Sequence, residues 1–112
     1  FISKGAKIYQ VKKSLDGLLC ITSIIKILYE LKIRNILVEG GAKTVSSFLN
    51  LGFCDFMYIY KSNTFVGKEG LHSFAKLKEH NRFFLYNEIP LNHNKLEMWI
   101  NKKLNKIFKK VT

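Results

Sequence analysis

The chain has 112 residues, 47% of them hydrophobic and 24% charged, with a single proline. This length suits one domain, and the composition excludes a disordered or collagen-like chain. The formal net charge of +11 admits a nucleic-acid binder, a membrane-surface protein or an enzyme that handles phosphates.

The first residue is Phe1, not Met, so a longer parent chain, cut or processed here, is expected. No apolar run reaches the length of a membrane span. Lys4 and Lys7 interrupt any signal-peptide core in the first ten residues. Cys20 and Cys54 form no CxxC or metal-ligand spacing and sit among apolar residues. They read as buried free thiols in a reducing cytoplasm, with no metal site. The lysines are spread along the chain apart from a cluster at its end, and arginine is confined to Arg34 and Arg82. Arginine is the preferred residue for bidentate base and phosphate contacts. The abundance of Lys, Asn, Ile and Phe together also fits an AT-rich coding genome. Charge alone therefore argues weakly for nucleic acid.

In chain order, AKIYQVK (6–12) alternates as a short strand. Ser14-Leu15-Asp16-Gly17 is a turn signal. Residues 21–33 place Ile24, Leu28 and Leu31 at helical spacing, with Thr22 or Ser23 as the cap. Asn35 to Val38 reads as a short, fully buried strand. Residues 42–50 predict a second helix with Val45, Phe48 and Leu49 inward and Gly52 as its stop. DFMYIYK (55–61) is an aromatic-rich strand, and 62–74 a loop pivoting on Gly67 and Gly70. Residues 82–89 and 95–101 predict two more strands joined by Pro90 to Asn94. The order implies a parallel βαβαβ unit with an antiparallel edge, a mixed α/β sheet with flanking helices. Residues 1–101 form the domain, and 102–112 a basic tail. Leu104, Ile107, Phe108 and Val111 would line one face of a tail helix. The alternative is a solvated, frayed terminus.

One stretch carries chemistry. NILVEGGAKTVSSFLN (35–50) runs an apolar strand into Glu39, then Gly40-Gly41, then a helix. In open α/β sheets, ligands collect at the carboxyl ends of parallel strands. Two glycines allow positive φ and close backbone approach, and the helix start offers unpaired N–H groups to an anion. Lys43, Thr44 and Ser47 lie within reach. The pattern is neither a Walker A loop nor a GxGxxG fingerprint. It is either a plain tight turn or a phosphate cradle. Glu39, an acid after Ile-Leu-Val, accepts hydrogen bonds either from a ligand or from the helix backbone.

The run from Ile36 to Gly70 resembles the C-terminal reductase domain of bacterial riboflavin-biosynthesis deaminase/reductase proteins. The residues that carry the likeness are Val38-Glu39-Gly40-Gly41, Ser46-Ser47-Phe48-Leu49, Gly52-Phe53-Cys54-Asp55 and Phe65-Val66-Gly67. The likeness covers about residues 6 to 100. It implies a dihydrofolate-reductase-like fold and NADPH-dependent reduction of 5-amino-6-(5-phosphoribosylamino)uracil, a phosphorylated pyrimidine, to its ribitylamino product. It implies that Gly40, Gly41, Ala42, Lys43, Thr44, Val45, Ser46 and Ser47 contact NADPH, that Glu39 faces the substrate, and that Gly40-Gly41 is joined by a cis peptide. It also implies a homodimer, with a deaminase domain upstream in the parent chain. Lys61-Ser62-Asn63 departs from the Ala-Pro usual in the family. The chain looks like the second half of the family's domain, so the site is expected to be incomplete in these residues. No proton donor stands out, and no nucleic-acid or membrane partner is expected.

His72, His80 and His93 lie in predicted loops without an acid partner and read as solvated. Met98 and Trp99 read as core or interface, and Asp55 as a loop or capping acid. Tyr58 and Tyr60 alternate with Met57 and Ile59, so one strand face is core and the other a subunit contact. The rival to the reductase is a basic α/β module that binds RNA or an acidic partner without catalysis.

Overall fold

The computed structural model describes residues 2–63 and 81–108. The chain divides into two compact units, Phe1–Val38 and Glu39–Thr112.

The first unit contains a 3-10 turn at Ile2–Lys4 and one helix, α1 (Ile21–Glu30). The predicted Ser14–Gly17 turn forms. Its hydroxyl and amide hydrogen bonds converge on Asp16: Ser14 donates to Asp16, and the Leu18 N–H donates to Asp16 Oδ1 at 3.1 Å. These bonds hold the Asp16 carboxyl below its ordinary value. Gly17 adopts φ +78°, which favours glycine. The turn closes an isolated antiparallel bridge between Lys13 and Leu19. α1 begins where its periodicity predicts, at Ile21, and ends three residues before the predicted Ile33. Its N-cap is Cys20, not Thr22 or Ser23. Its end is a Schellman motif in which the Ile33 N–H bonds the Leu28 carbonyl at 3.0 Å and the Lys32 N–H bonds the Tyr29 carbonyl at 2.9 Å. Lys32 sits there at φ +60°.

Two strand expectations fail in this unit. Residues 6–12 form no strand, and residues 33–39 adopt no regular structure. Ile8, Ile36 and Leu37 stay exposed. A run of three or four apolar residues does not make a strand without a paired neighbour to take its N–H and C=O groups. The parallel βαβαβ arrangement is therefore absent among the described residues.

The second unit comprises α2 (Ala42–Asn50) and strands β1 (Phe56–Ser62), β2 (Phe83–Leu91) and β3 (Asn94–Asn101). α2 spans the predicted residues. It stops where Gly52 takes φ +77°, with the Phe53 N–H on the Phe48 carbonyl and the Gly52 N–H on the Leu49 carbonyl. The strands form an antiparallel sheet in the order β1-β3-β2. β2 and β3 join through Asn92-His93, with Asn92 at φ +51°. β2 continues through Pro90, and an edge strand tolerates the missing donor. The ladder shifts register between Leu85 and Asn87, leaving Tyr86 in a bulge.

Strand alternation gives the sheet two different faces. On one, Leu49 of α2 packs with Met57 and Phe83, fringed by Val45, Cys54, Ile59 and Trp99. Fully burying a side chain such as Leu49 contributes about 1.5–3 kcal/mol. The other face carries Phe56, Tyr58 and Tyr60 of β1 opposite Ile100, Met98 and Leu96 of β3. Buried Asn101 ties the sheet end to the loop after α2, donating to the Cys54 carbonyl at 2.9 Å and accepting from the Lys103 N–H at 3.1 Å.

The tail is neither a continuous helix nor frayed through residue 108. A 3-10 turn at Lys102–Leu104 leads Phe108 back edge-on against Phe56 and Tyr86, with ring centroids 5.3 and 6.1 Å apart. Asp55 pairs with Lys103 at 2.7 Å, in keeping with a loop role. Segment 64–80, with the predicted loop pivots Gly67 and Gly70, the Phe65-Val66-Gly67 motif, His72 and His80, lies outside the described residues, as does Val111.

Candidate functional site

The glycine turn is built as follows. Glu39 is exposed and precedes Gly40, whose φ of +135° is open to glycine and costly for any other residue. The Gly40–Gly41 peptide is trans, which corrects the cis expectation. The positive φ at Gly40 reverses the chain without one. Gly41 is the N-cap of α2 at φ −69° and ψ 164°, and its carbonyl accepts the Val45 N–H at 3.3 Å.

The two glycines differ in what explains them. Gly40 is required by its backbone angle. Gly41 has an ordinary extended conformation, and a Cβ there would meet nothing within 4 Å. Neither strain nor internal packing demands glycine at this point. What a side chain would fill is open space in front of the helix start. No side chain caps that start, so the first-turn amides of α2 face outward without a capping oxygen. The helix dipole makes this end electropositive.

The predicted contact residues divide by orientation. Lys43 and Thr44 are exposed beside the turn. Ala42 and Ser46 are half-buried. Val45 packs toward the core, so only its backbone is available. The Ser47 hydroxyl donates to the Lys43 carbonyl at 2.8 Å within the helix. The turn thus brings together Glu39, the two glycines, Lys43 and Thr44. It turns Val45 inward and engages Ser47 locally. The open space, exposed amides and adjacent ammonium fit the phosphates of a dinucleotide.

A second polar cluster lies on the α2-bearing sheet face and was not anticipated. Glu97, 3% exposed, accepts from Lys61 at 2.9 Å and from the Trp99 indole at 2.9 Å, with Lys95 at 3.3 Å. Lys95 also pairs with Glu88. Burial pushes the Glu97 carboxyl up, but Lys61, Trp99 and Lys95 together hold it below its ordinary value. It is an ionised, fully partnered acid and so lacks a proton to donate. The signal lay in β3, where Lys95, Glu97 and Trp99 alternate in one phase. Cys54 is a free thiol pushed up by burial and the charge of Asp55. Neither this thiol nor Cys20 forms a disulfide.

The second unit is a two-layer α/β structure that presents a glycine turn at an uncapped helix start. The chain belongs to the family described as the RibD C-terminal domain, which its residues 4–95 match. That family is the C-terminal domain of the riboflavin-biosynthesis deaminase/reductase, a reductase domain. The match spans the glycine turn, α2, β1 and β2 and stops within β3. No curated protein and no solved structure matches the chain. Among the described residues, no helix is long and apolar enough to cross a membrane.

Proposed function

We propose that this domain serves an NADPH-dependent reductase that converts 5-amino-6-(5-phosphoribosylamino)uracil to its ribitylamino product, on a dihydrofolate-reductase-like scaffold. The observation that carries the reading is Gly41. Its φ is ordinary, no packing excludes a Cβ there, and beyond the general N-cap preference for small residues its missing side chain leaves open space at a helix start that no side chain caps. Membership of the riboflavin reductase-domain family supports the same conclusion.

NADPH, when bound, supplies the hydride. The chain's own residues bind and orient. The missing Cβ at Gly41 admits a phosphate close to the backbone, and the amides of Ala42, Lys43 and Thr44 donate to it. The Lys43 ammonium adds a positive charge, and the Thr44 hydroxyl a further contact. Glu39, exposed at the mouth of the turn, accepts hydrogen bonds from the substrate. The role proposed for these residues is binding and orientation.

The test is titration of the intact protein with NADPH, for wild type and Gly41→Val. The substitution places a branched side chain in space that is now empty and replaces the glycine N-cap by a poorer one. Affinity is expected to fall at least tenfold, which corresponds to about 1.4 kcal/mol, with only the small fall in melting temperature that a weakened N-cap brings. Equal affinity of the two proteins overturns the assignment.

A further inference from the structure

At one end of the sheet the strand ends bring cations together. The Lys102 N–H donates to the Arg82 carbonyl at 2.6 Å, and the Asn101 N–H to the Asp55 carbonyl at 2.9 Å. The close of β3, the start of β2 and the loop before β1 therefore meet. Arg82 and Lys102 stand there, and Lys103 and Lys106 follow in the turn that leaves β3. Among the described residues one acid joins them, Asp55, which Lys103 takes at 2.7 Å. The acids of β2 and β3, Glu88 and Glu97, are taken by Lys61 and Lys95. Residues 102–112 hold five lysines and no acid, and residues 64–80 hold three lysines against two glutamates. Neither segment adds net negative charge. This end is far from the glycine turn: Arg82 donates to the Leu49 carbonyl in the last turn of α2 at 3.4 Å, and the nine-residue helix is about 13 Å long.

Two properties of this cluster point to its occupant. First, it holds an apolar side chain outward. The turn is fixed by the Asn101 cap, the Asp55–Lys103 pair and the Phe108 ring against Phe56. Ile107, between Lys106 and Phe108, is nevertheless 73% exposed. An isoleucine presented among lysines suits a headgroup layer, where the apolar tip enters and the ammonium groups stay in water. Second, the cations available are point charges. Arg82, the one arginine of the cluster, is engaged on Leu49, and the Phe108 ring is spent on Phe56 and Tyr86. The turn thus offers neither a free guanidinium fork nor a ring for base stacking, the features a nucleic acid uses. The family match ends at residue 95, before these lysines, so the absence of a membrane partner implied by the family does not extend to them.

We infer that the turn after β3, with Lys102, Lys103 and Lys106 around Ile107, docks the protein peripherally on an anionic lipid surface. The lysines are drawn to the negative headgroups, and Ile107 adds apolar contact at their level. Lys109 and Lys110 add charge to the same segment. The docking stands whether or not the glycine turn binds NADPH.

The experiment is co-sedimentation of the intact protein with phosphatidylcholine vesicles, with and without about 30% phosphatidylglycerol. Wild type is expected to bind the anionic vesicles at least tenfold more tightly, and added salt should weaken that binding. Lys106→Glu should lower it about tenfold, and Ile107→Ser about fivefold. Lys26→Glu makes the same charge change on exposed α1 and should stay within about twofold of wild type. Gly41→Val should bind vesicles as wild type does. Circular dichroism reports the fold of each variant, and if one of the two tail variants does not fold, the other decides. Equal binding to neutral and anionic vesicles overturns the docking. So does Lys26→Glu matching Lys106→Glu, which would leave net charge as the cause, or an Ile107→Ser that is folded and binds as wild type. Binding to a poly(U) oligomer that Lys106→Glu weakens, without binding to anionic vesicles, also overturns it and gives the cluster to nucleic acid.

Discussion

α1 and α2 have ten and nine residues, and both are amphipathic, yet they are held very differently. α1 buries Ile21 alone, whereas α2 buries Phe48 and Leu49 and lays Val45 and Leu49 on the sheet core. Both end in a Schellman motif, α2 with glycine in the left-handed position and α1 with lysine. Periodicity shows which residues share a face. It does not supply the surface on which that face is buried.

The sharpest way to break this comparison is to truncate equivalent side chains. Leu49→Ala is expected to cost about 2–5 kcal/mol in urea unfolding, because the cavity opens against Met57 and Phe83. Ile24→Ala, on the half-buried face of α1, is expected to cost about 1 kcal/mol. Similar losses at the two sites would show that α1 is as firmly packed as α2. Next in size is Asn101→Ala, which leaves the Cys54 carbonyl without its part-buried hydrogen bond and uncaps the 3-10 turn. It should cost about 1–3 kcal/mol.

The Glu97 cluster adds a pH signature to the sheet. Its carboxyl is held below its unfolded value, so it favours the folded state above the ordinary carboxylate range. That contribution should drain away as pH falls through the folded pKa. Glu97→Gln should flatten the acid limb of a stability-pH profile below about pH 5. An unchanged limb would mean that other carboxylates carry it.

The two helix ends differ by a smaller amount. Gly52→Ala should destabilise by about 1 kcal/mol, and Lys32→Gly should stabilise by a comparable or smaller amount, since only glycine adopts that conformation without steric cost. At Gly41→Val a Cβ meets nothing, so the stability change should be confined to the small loss of a glycine N-cap. Its effect should appear in NADPH affinity. A large drop in melting temperature there would assign the glycine to folding.

The glycine turn was legible because everything in it is local. Glu39, Gly40, Gly41 and the helix that follows are contiguous, and φ, caps and helix start depend on neighbours within a turn. The division between the two glycines was not legible. Both are equally permissive in sequence, and only the backbone shows that Gly40 needs its freedom and Gly41 does not. The Lys61–Glu97–Lys95 cluster was hidden because β1 and β3 meet only through the sheet register.

The sequence by itself determined α2, its stop at Gly52, the Ser14–Gly17 turn, the three later strands and which side chains alternate. Each rests on spacing or on residues a few positions apart. The predicted antiparallel pairing of the last two strands is found, and the tertiary structure alone decided that β1 joins them antiparallel, in the order β1-β3-β2. It also left residues 6–12 and 35–38 out of any strand and folded Phe108 onto Phe56 and Tyr86. Strand pairing joins residues far apart in the chain, and whether an apolar run becomes a strand depends on a partner its own residues cannot specify.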